Sequence, residues 1–281
     1  MKFFTLFLLM ISLNLVQAQS YIQGTVSNPD TGEPVPFVNI GIIKVGVGTV
    51  SDENGQYRLR LPEPQAIVTF SAIGYQTLEI EGKTLLHNGA VDLRQRPYAI
   101  PEVIVDAAKF GDEVIIGLKL EEKVHSIGFG SSELGTEIAA HLRIDKETLV
   151  KSAQFPINHA TGDSLLFRVN LYDFQDGKKG ENLLRQNVIV TTDQKRGTLI
   201  VDLADYHLIV FNDVLLSLEW IKDDAGKGNV GMTFNARKSR KGNNLYTKHT
   251  SLAPFKKMSD LHTKAPKLQL GFYLLGRQAG G

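Results

Sequence analysis

Leu165-Leu166-Phe167-Arg168-Val169-Asn170-Leu171-Tyr172 is the stretch that decides the fold class. Leu165, Phe167, Val169 and Leu171 alternate with Leu166, Arg168, Asn170 and Tyr172. In an extended chain this puts one apolar row on a single face, the mark of a half-buried strand. The same period of two recurs in Tyr57, Leu59 and Leu61, in Ile138, Ala140 and Leu142, and in Val214, Leu216, Leu218 and Trp220. It returns in Val230, Met232 and Phe234, and in Leu268, Leu270, Phe272 and Leu274, read as a final strand. Turn-forming runs fall between these segments: Asn28-Pro29-Asp30-Thr31-Gly32, Asp52-Glu53-Asn54-Gly55, Asp176-Gly177 and Lys195-Arg196-Gly197. Short strands at this spacing predict β-sandwiches, not βαβ units. One helical turn fits near Glu133–Ala140, and that stretch also reads as a strand.

Lys2, the apolar run Phe3 to Val16 and the closing Val16-Gln17-Ala18 have the layout of a secretory signal peptide over residues 1–18. The apolar core is short for a membrane span. The 281 residues contain no cysteine, so disulfides, thiolate metal sites and N-terminal Cys lipidation are excluded. Charge is unevenly spread: net −4 over 19–107, −5 over 108–235 and +9 over 236–281, where 10 Lys and Arg face 1 Asp. The body is acidic and its end basic. Alternation lapses around Ala107 to Gly111, which sets a linker at 108–111 between domains at 19–107 and 112–275. Residues 276–281 read as a flexible end.

In the first domain, Asp52-Glu53-Asn54-Gly55 suits a tight hairpin, because Asn and Gly tolerate positive φ. About seven strands are expected, a Greek-key count. The motif order is Gly24-Thr25-Val26, Thr31-Gly32-Glu33-Pro34-Val35-Pro36, Phe37-Val38-Asn39-Ile40, then Gly48-Thr49-Val50-Ser51-Asp52-Glu53-Asn54-Gly55-Gln56-Tyr57. Ser71-Ala72-Ile73-Gly74-Tyr75 and Pro101-Glu102-Val103-Ile104-Val105 follow. This order resembles the carboxypeptidase regulatory-like (carboxypeptidase-D-like) domain. The resemblance implies a transthyretin-like sandwich that is attached to enzymes and to TonB-dependent receptors as an accessory module without catalysis. No H-x-x-E occurs that could begin a carboxypeptidase zinc site. About 170 further residues are too few for a receptor barrel of roughly 22 strands.

The second domain reads as a larger sandwich of about ten strands. Its run from Leu166 to Asp173 and on to Leu218-Glu219-Trp220-Ile221 resembles an uncharacterised C-terminal region of Gram-negative envelope proteins, which implies a jelly-roll-like fold. Arg168 with Asp173, Asp202 and Glu219 would suit a sugar or cation cluster, or a hydrolase centre; a cross-strand ion pair that fixes register is the favoured alternative. Tyr172, Phe174 and Trp220 suit a glycan-stacking platform, although Trp220 continues an apolar row and reads as core.

Motifs for chemistry fail one after another. Gly128-Phe129-Gly130-Ser131-Ser132 is out of register for G-x-S-x-G, S-x-x-K is absent, and no His has a second His at i+2 or i+4. Of the histidines, His141 lies opposite an apolar row, while His87, His159 and His262 read as loop residues. Gly46-Val47-Gly48 lacks the helix a phosphate loop needs. The basic run Arg237-Lys238-Ser239-Arg240-Lys241 suits an acidic glycan, lipopolysaccharide or an acidic partner, or serves as a solvated surface. The expectation is an exported, non-catalytic binding or scaffolding protein without cofactor or metal, with a hydrolase as the alternative. Its partner is an envelope protein or glycan, not nucleic acid, and its membrane association is peripheral. The candidate surface comprises Arg168, Tyr172, Asp173, Arg237, Lys238, Arg240 and Lys241; nothing indicates the oligomeric state.

Overall fold

The structure is a computed structural model and describes residues 20–96, 109–120, 125–129, 134–161, 164–222, 231–240, 242–261 and 267–280. The expected signal segment, the Pro101–Val105 run, the first residue of the expected linker (108), Lys241 and His262 lie outside these residues. The described chain is almost wholly β, as the alternation requires. No helix among the described residues is long and apolar enough to cross a membrane.

Among the described residues the first domain has seven strands: β1 (Ser20–Ser27), β2 (Asn39–Ile42), β3 (Val47–Val50), β4 (Gln56–Leu61), β5 (Ile67–Ser71), β6 (Leu78–Glu81) and β7 (Val91–Asp92), with a short helix α1 (Gly82–His87). They form two sheets, ordered β4-β1-β7 and β3-β2-β5-β6. The alternating residues Tyr57, Leu59 and Leu61 face Ile22, Val26, Ile40 and Phe70 between the sheets. The Tyr57 and Phe70 rings meet edge-on at 5.4 Å.

One local expectation is corrected here. Asp52–Gly55 is not a hairpin: β3 pairs with β2 while β4 pairs with β1, so the turn carries the chain from one sheet to the other. Its chemistry is as expected, with Asp52 Oδ1 accepting the Asn54 and Gln56 amides at 2.9 and 2.8 Å and Gly55 at φ +71°. Phe37 does not begin a strand. It sits at φ +56°, a left-handed conformation that costs a non-glycine residue about 1–3 kcal/mol, and β2 starts at Asn39.

The second domain comprises β8 (Phe110–Gly117), β9 (His125–Phe129), β10 (Glu137–Leu142), β11 (Thr148–Thr161), β12 (Leu165–Gln175), β13 (Lys178–Asn182), β14 (Val188–Thr192) and β15 (Gly197–Asp202). It continues with β16 (Ile209–Val210), β17 (Val214–Lys222), β18 (Gly231–Lys238), β19 (Leu245–Lys248), β20 (Lys256–Lys257), a helical turn α2 (Met258–Leu261), β21 (Leu268–Leu270) and β22 (Tyr273–Ala279). One sheet runs β13-β12-β17-β10-β19-β20, with β14 also on β12; the other runs β21-β18-β11-β22-β8, with β15 and β16 on β11 and β9 on β18. The core between them holds Phe167, Leu171, Leu218, Trp220, Phe234 and Phe272. Trp220, 1% exposed, packs edge-on against Phe129 at 5.1 Å, so it is a core residue and not a platform.

There are more strands than the ten or so expected, because the long β11 takes four partners along its 14 residues. Of the stretch Glu133–Ala140, Glu133 lies outside the described residues, and the strand reading holds from Glu137, where β10 begins. His159 lies on β11 and not in a loop. The expected final strand is broken at Gly271-Phe272 into β21 and β22. The expected flexible end is mostly ordered: β22 reaches Ala279, clamped between β11 and β8, and Arg277 Nε donates to the Gly111 carbonyl at 2.7 Å. At the other boundary β8 already begins at Phe110, inside the expected linker.

Candidate functional site

The alternation that buries Phe167, Val169 and Leu171 turns Arg168, Asn170 and Tyr172 to the opposite face of the same sheet. Register then aligns four charges. Arg168 on β12 lies opposite Glu219 on β17, Glu219 opposite Glu137 on β10, and Glu137 opposite Lys248 on β19. One row of the sheet therefore reads plus, minus, minus, plus. Arg168 is 2% exposed, Glu219 and Glu137 are 0% and Lys248 is 6%.

Burying four charges is tolerable only if each is paired and hydrogen-bonded. Arg168 Nη1 lies 3.3 Å from Glu219 Oε2, which also accepts from Asn170 Nδ2 at 3.3 Å. Glu137 takes the Ser217 hydroxyl at 2.8 Å, the Tyr172 hydroxyl at 3.3 Å and the Lys248 ammonium. Burial raises the Glu219 carboxyl above the ordinary carboxylate range, while Arg168 and Lys248 oppose that rise and Glu137 adds to it. Burial, with the Glu137 and Glu219 charges, likewise pushes the Tyr172 phenol well above 10.

The lid on this row is the first domain. The strained Phe37 offers its carbonyl to Arg168 Nη2. Asn39, at the start of β2, donates its amide to Glu219 Oε1 at 2.6 Å and to Ser251 Oγ at 2.9 Å, and accepts from Arg168 Nη1 at 3.0 Å. Gly41 and Gly48 make room for the Ser251 loop: a Cβ on either would lie 2.9 or 2.8 Å from the Ser251 carbonyl oxygen. At the rim, Lys222 reaches Glu53 across the junction at 3.0 Å. The two domains are thus joined through a dry polar seam.

Of the residues singled out from sequence, Arg168 and Glu219 meet as the cross-strand pair, with Tyr172 nearby on Glu137. Asp173, one residue on from Tyr172, takes the opposite side of the strand and accepts from Gln175 and Asn212. Asp202 is on β15 of the other sheet, where it caps Ala204 N at 2.9 Å. The carboxylate centre of the hydrolase alternative, Arg168 with Asp173, Asp202 and Glu219, is therefore not assembled. Arg237 and Lys238 are exposed on β18, with exposed Arg240 just beyond it, also on the far sheet. Phe174 packs against Tyr246 (5.2 Å) and His141 (4.8 Å), and Phe255 meets Tyr172 edge-on at 5.8 Å, so these rings pack against one another.

Sequence reasoning missed Glu137, Ser217, Lys248 and Asn39. The first two were legible in part, since each flanks an apolar row and so must face the other way. Lys248 was counted with the basic end, but it is spent on Glu137. Ser217, Glu137 and Lys248 bring a hydroxyl, a carboxylate and an ammonium together, yet Ser217 and Glu137 have no exposed surface, so a substrate carbonyl has no approach to them. Among the described residues no group of three or more His, Asp or Glu could hold a metal ion.

Residues 22–105 match the CarboxypepD_reg-like domain family. Two TonB-dependent receptors of Formosa agariphila are similar to the chain: P3, 28% identical over 142 residues, and P39, 30% identical over 136 residues. These matches cover 50% and 48% of this chain but only 13% and 12% of the receptors, so the chain spans about an eighth of their length. Among solved structures, a clostridial cysteine protease after propeptide cleavage aligns with a TM-score of 0.43 at 12% identity, over 83% of this chain and 58% of that one.

Proposed function

We propose that the first domain, which is a carboxypeptidase regulatory-like module, serves with the second sandwich as an exported, non-catalytic binding or scaffolding protein of the cell envelope. On this reading it is accessory to an outer-membrane complex or to a polysaccharide-handling system. The observation that carries the reading is the sealed charge row. The polar groups best suited to chemistry are buried, paired with opposite charges and committed to holding the module against the second domain. Similarity to TonB-dependent receptors supports an envelope setting, since the shared stretch is longer than the module itself.

The test is an affinity pull-down of the tagged chain from detergent-solubilised envelopes of the bacterium that makes it. A reproducible envelope protein or polysaccharide partner is expected. Recovery without any partner, or a hydrolytic activity that Ser217→Ala or Glu137→Gln abolishes while the fold survives, would overturn the reading.

A further inference from the structure

We propose that a cleft between the two sheets of the second domain, lined by Arg143 and Arg237, binds an acidic saccharide through a ring carboxylate. It lies where β10 ends and the chain continues through Arg143 and Asp145, opposite β8, β18 and β21 of the other sheet. Its volume is about 530 Å³, within the roughly 300–1,000 Å³ range of small-ligand sites.

Two guanidinium side chains meet in this cleft. Lys83, Lys109, Lys151, Lys222, Arg168 and Lys248 each sit on an acid. Among the described residues, neither Arg143 nor Arg237 forms an ion pair, although both line the same cavity. Arg237 Nε donates to Gln269 Oε1 at 3.0 Å, which steadies the guanidinium and leaves its terminal nitrogens for an anion. A planar guanidinium matches a carboxylate in a bidentate fork. The backbone that carries Arg143 is braced: Asp213 accepts the Ile144 amide at 3.0 Å through one oxygen and holds His141 Nε2 at 2.7 Å through the other.

The remaining lining suits a sugar better than a bare anion. Ile115, 49% exposed, gives the apolar surface on which the C–H face of a pyranose rests. Asp145, also in the lining, repels a compact polyanion such as phosphate but accepts hydrogen bonds from hydroxyls. A molecule with one carboxylate and several hydroxyls satisfies all of these groups together. The inference rests on the envelope reading for the supply of such saccharides; binding by the purified protein tests the cleft, whereas fractionation tests the location.

Isothermal titration of the full exported chain with trigalacturonate tests it, alongside the fully methyl-esterified trimer, a sulfated trisaccharide and inorganic sulfate. The expected result is saturable binding of trigalacturonate that weakens with added salt, with the ester about tenfold weaker or worse. Arg143→Gln and Arg237→Gln should each weaken binding about tenfold, with Arg143→Lys in between, while Arg60→Gln changes nothing and thermal unfolding stays unaltered. The proposal is overturned by silent titrations at millimolar trigalacturonate, by equal binding of the ester, or by binding that survives both glutamine substitutions. Tighter binding of sulfate or of the sulfated sugar overturns it as well.

Discussion

Replacing Arg168 by Met keeps an unbranched apolar stem but removes the guanidinium and the charge that closes the domain seam. Glu219 then loses its ion pair at 3.3 Å, the Asn39 carbonyl its donor at 3.0 Å, and Phe37 the bond that accompanies its φ of +56°. Breaking a buried pair from one side costs about 3–5 kcal/mol, because the remaining charge stays dry and unpaired. At roughly 2–4 °C per kcal/mol for a chain of this size, the melting temperature should fall on the order of 10 °C. The loss should depend on pH. Burial raises the Glu219 carboxyl in the fold above its value in the unfolded chain, and Arg168 is the first group opposing that rise. Stability tied to a raised carboxyl is full below the unfolded value near 4.5 and fades as pH climbs through the folded one. Without Arg168 the folded value climbs further, so the fade is deeper and extends to higher pH. Thermal unfolding of variant and wild type, compared at about pH 4.5 and pH 7.5, should give a small deficit at the lower pH and the full one at the higher. Adding Glu219→Leu should recover most of it. A deficit under about 1 kcal/mol, or one equal at both pH values, refutes the reasoning.

Gly48→Val drives a branched side chain into the Ser251 backbone, whose atoms lie 2.8 and 2.9 Å from the new Cβ. We expect a loss of about 1–3 kcal/mol and faster hydrogen exchange at Ser251. Burial pushes the Tyr57 phenol up to about 12; ultraviolet titration should show one tyrosine ionising there, and Tyr57→Phe should remove that step. The same change forfeits the 2.9 Å bond to the Gly89 carbonyl, about 1 kcal/mol by chemical denaturation. Trp220→Ala should cost about 3–5 kcal/mol, and Trp220→Phe clearly less, since the indole nitrogen makes no hydrogen bond among the described residues.

Strands were legible wherever one face is apolar and the other polar, as in Gln56–Leu61 and Leu165–Tyr172, because burial on one side enforces a period of two. A cross-strand ion pair for Arg168 was legible for the same reason, but not which of Asp173, Asp202 and Glu219 would supply the acid. Its burial was not. Nothing local to Arg168 says that a second domain covers that face, since the cover comes from Phe37 and Asn39, well over a hundred residues earlier. Turn chemistry was equally blind to topology: Asp52-Glu53-Asn54-Gly55 makes the same local bonds whether it closes a hairpin or crosses between sheets. Lys248 looked like surface because sequence registers charge but not register, and only the β10–β19 pairing sets it opposite Glu137. The ordered end failed for a related reason. Gly276 is a strand residue here because its missing side chain lets β22 lie close to β11, where a Cβ would come within 2.7 Å of the Leu149 carbonyl oxygen.

Where the chain resides in the cell tests the account most directly. Outer membranes separated by density from the bacterium that makes the protein, then washed with high salt, should carry the processed chain before the wash and release it afterwards, as a peripheral component bound through a partner. Recovery of the chain in the cytosolic fraction, or retention in the membrane after salt and carbonate extraction, would contradict it.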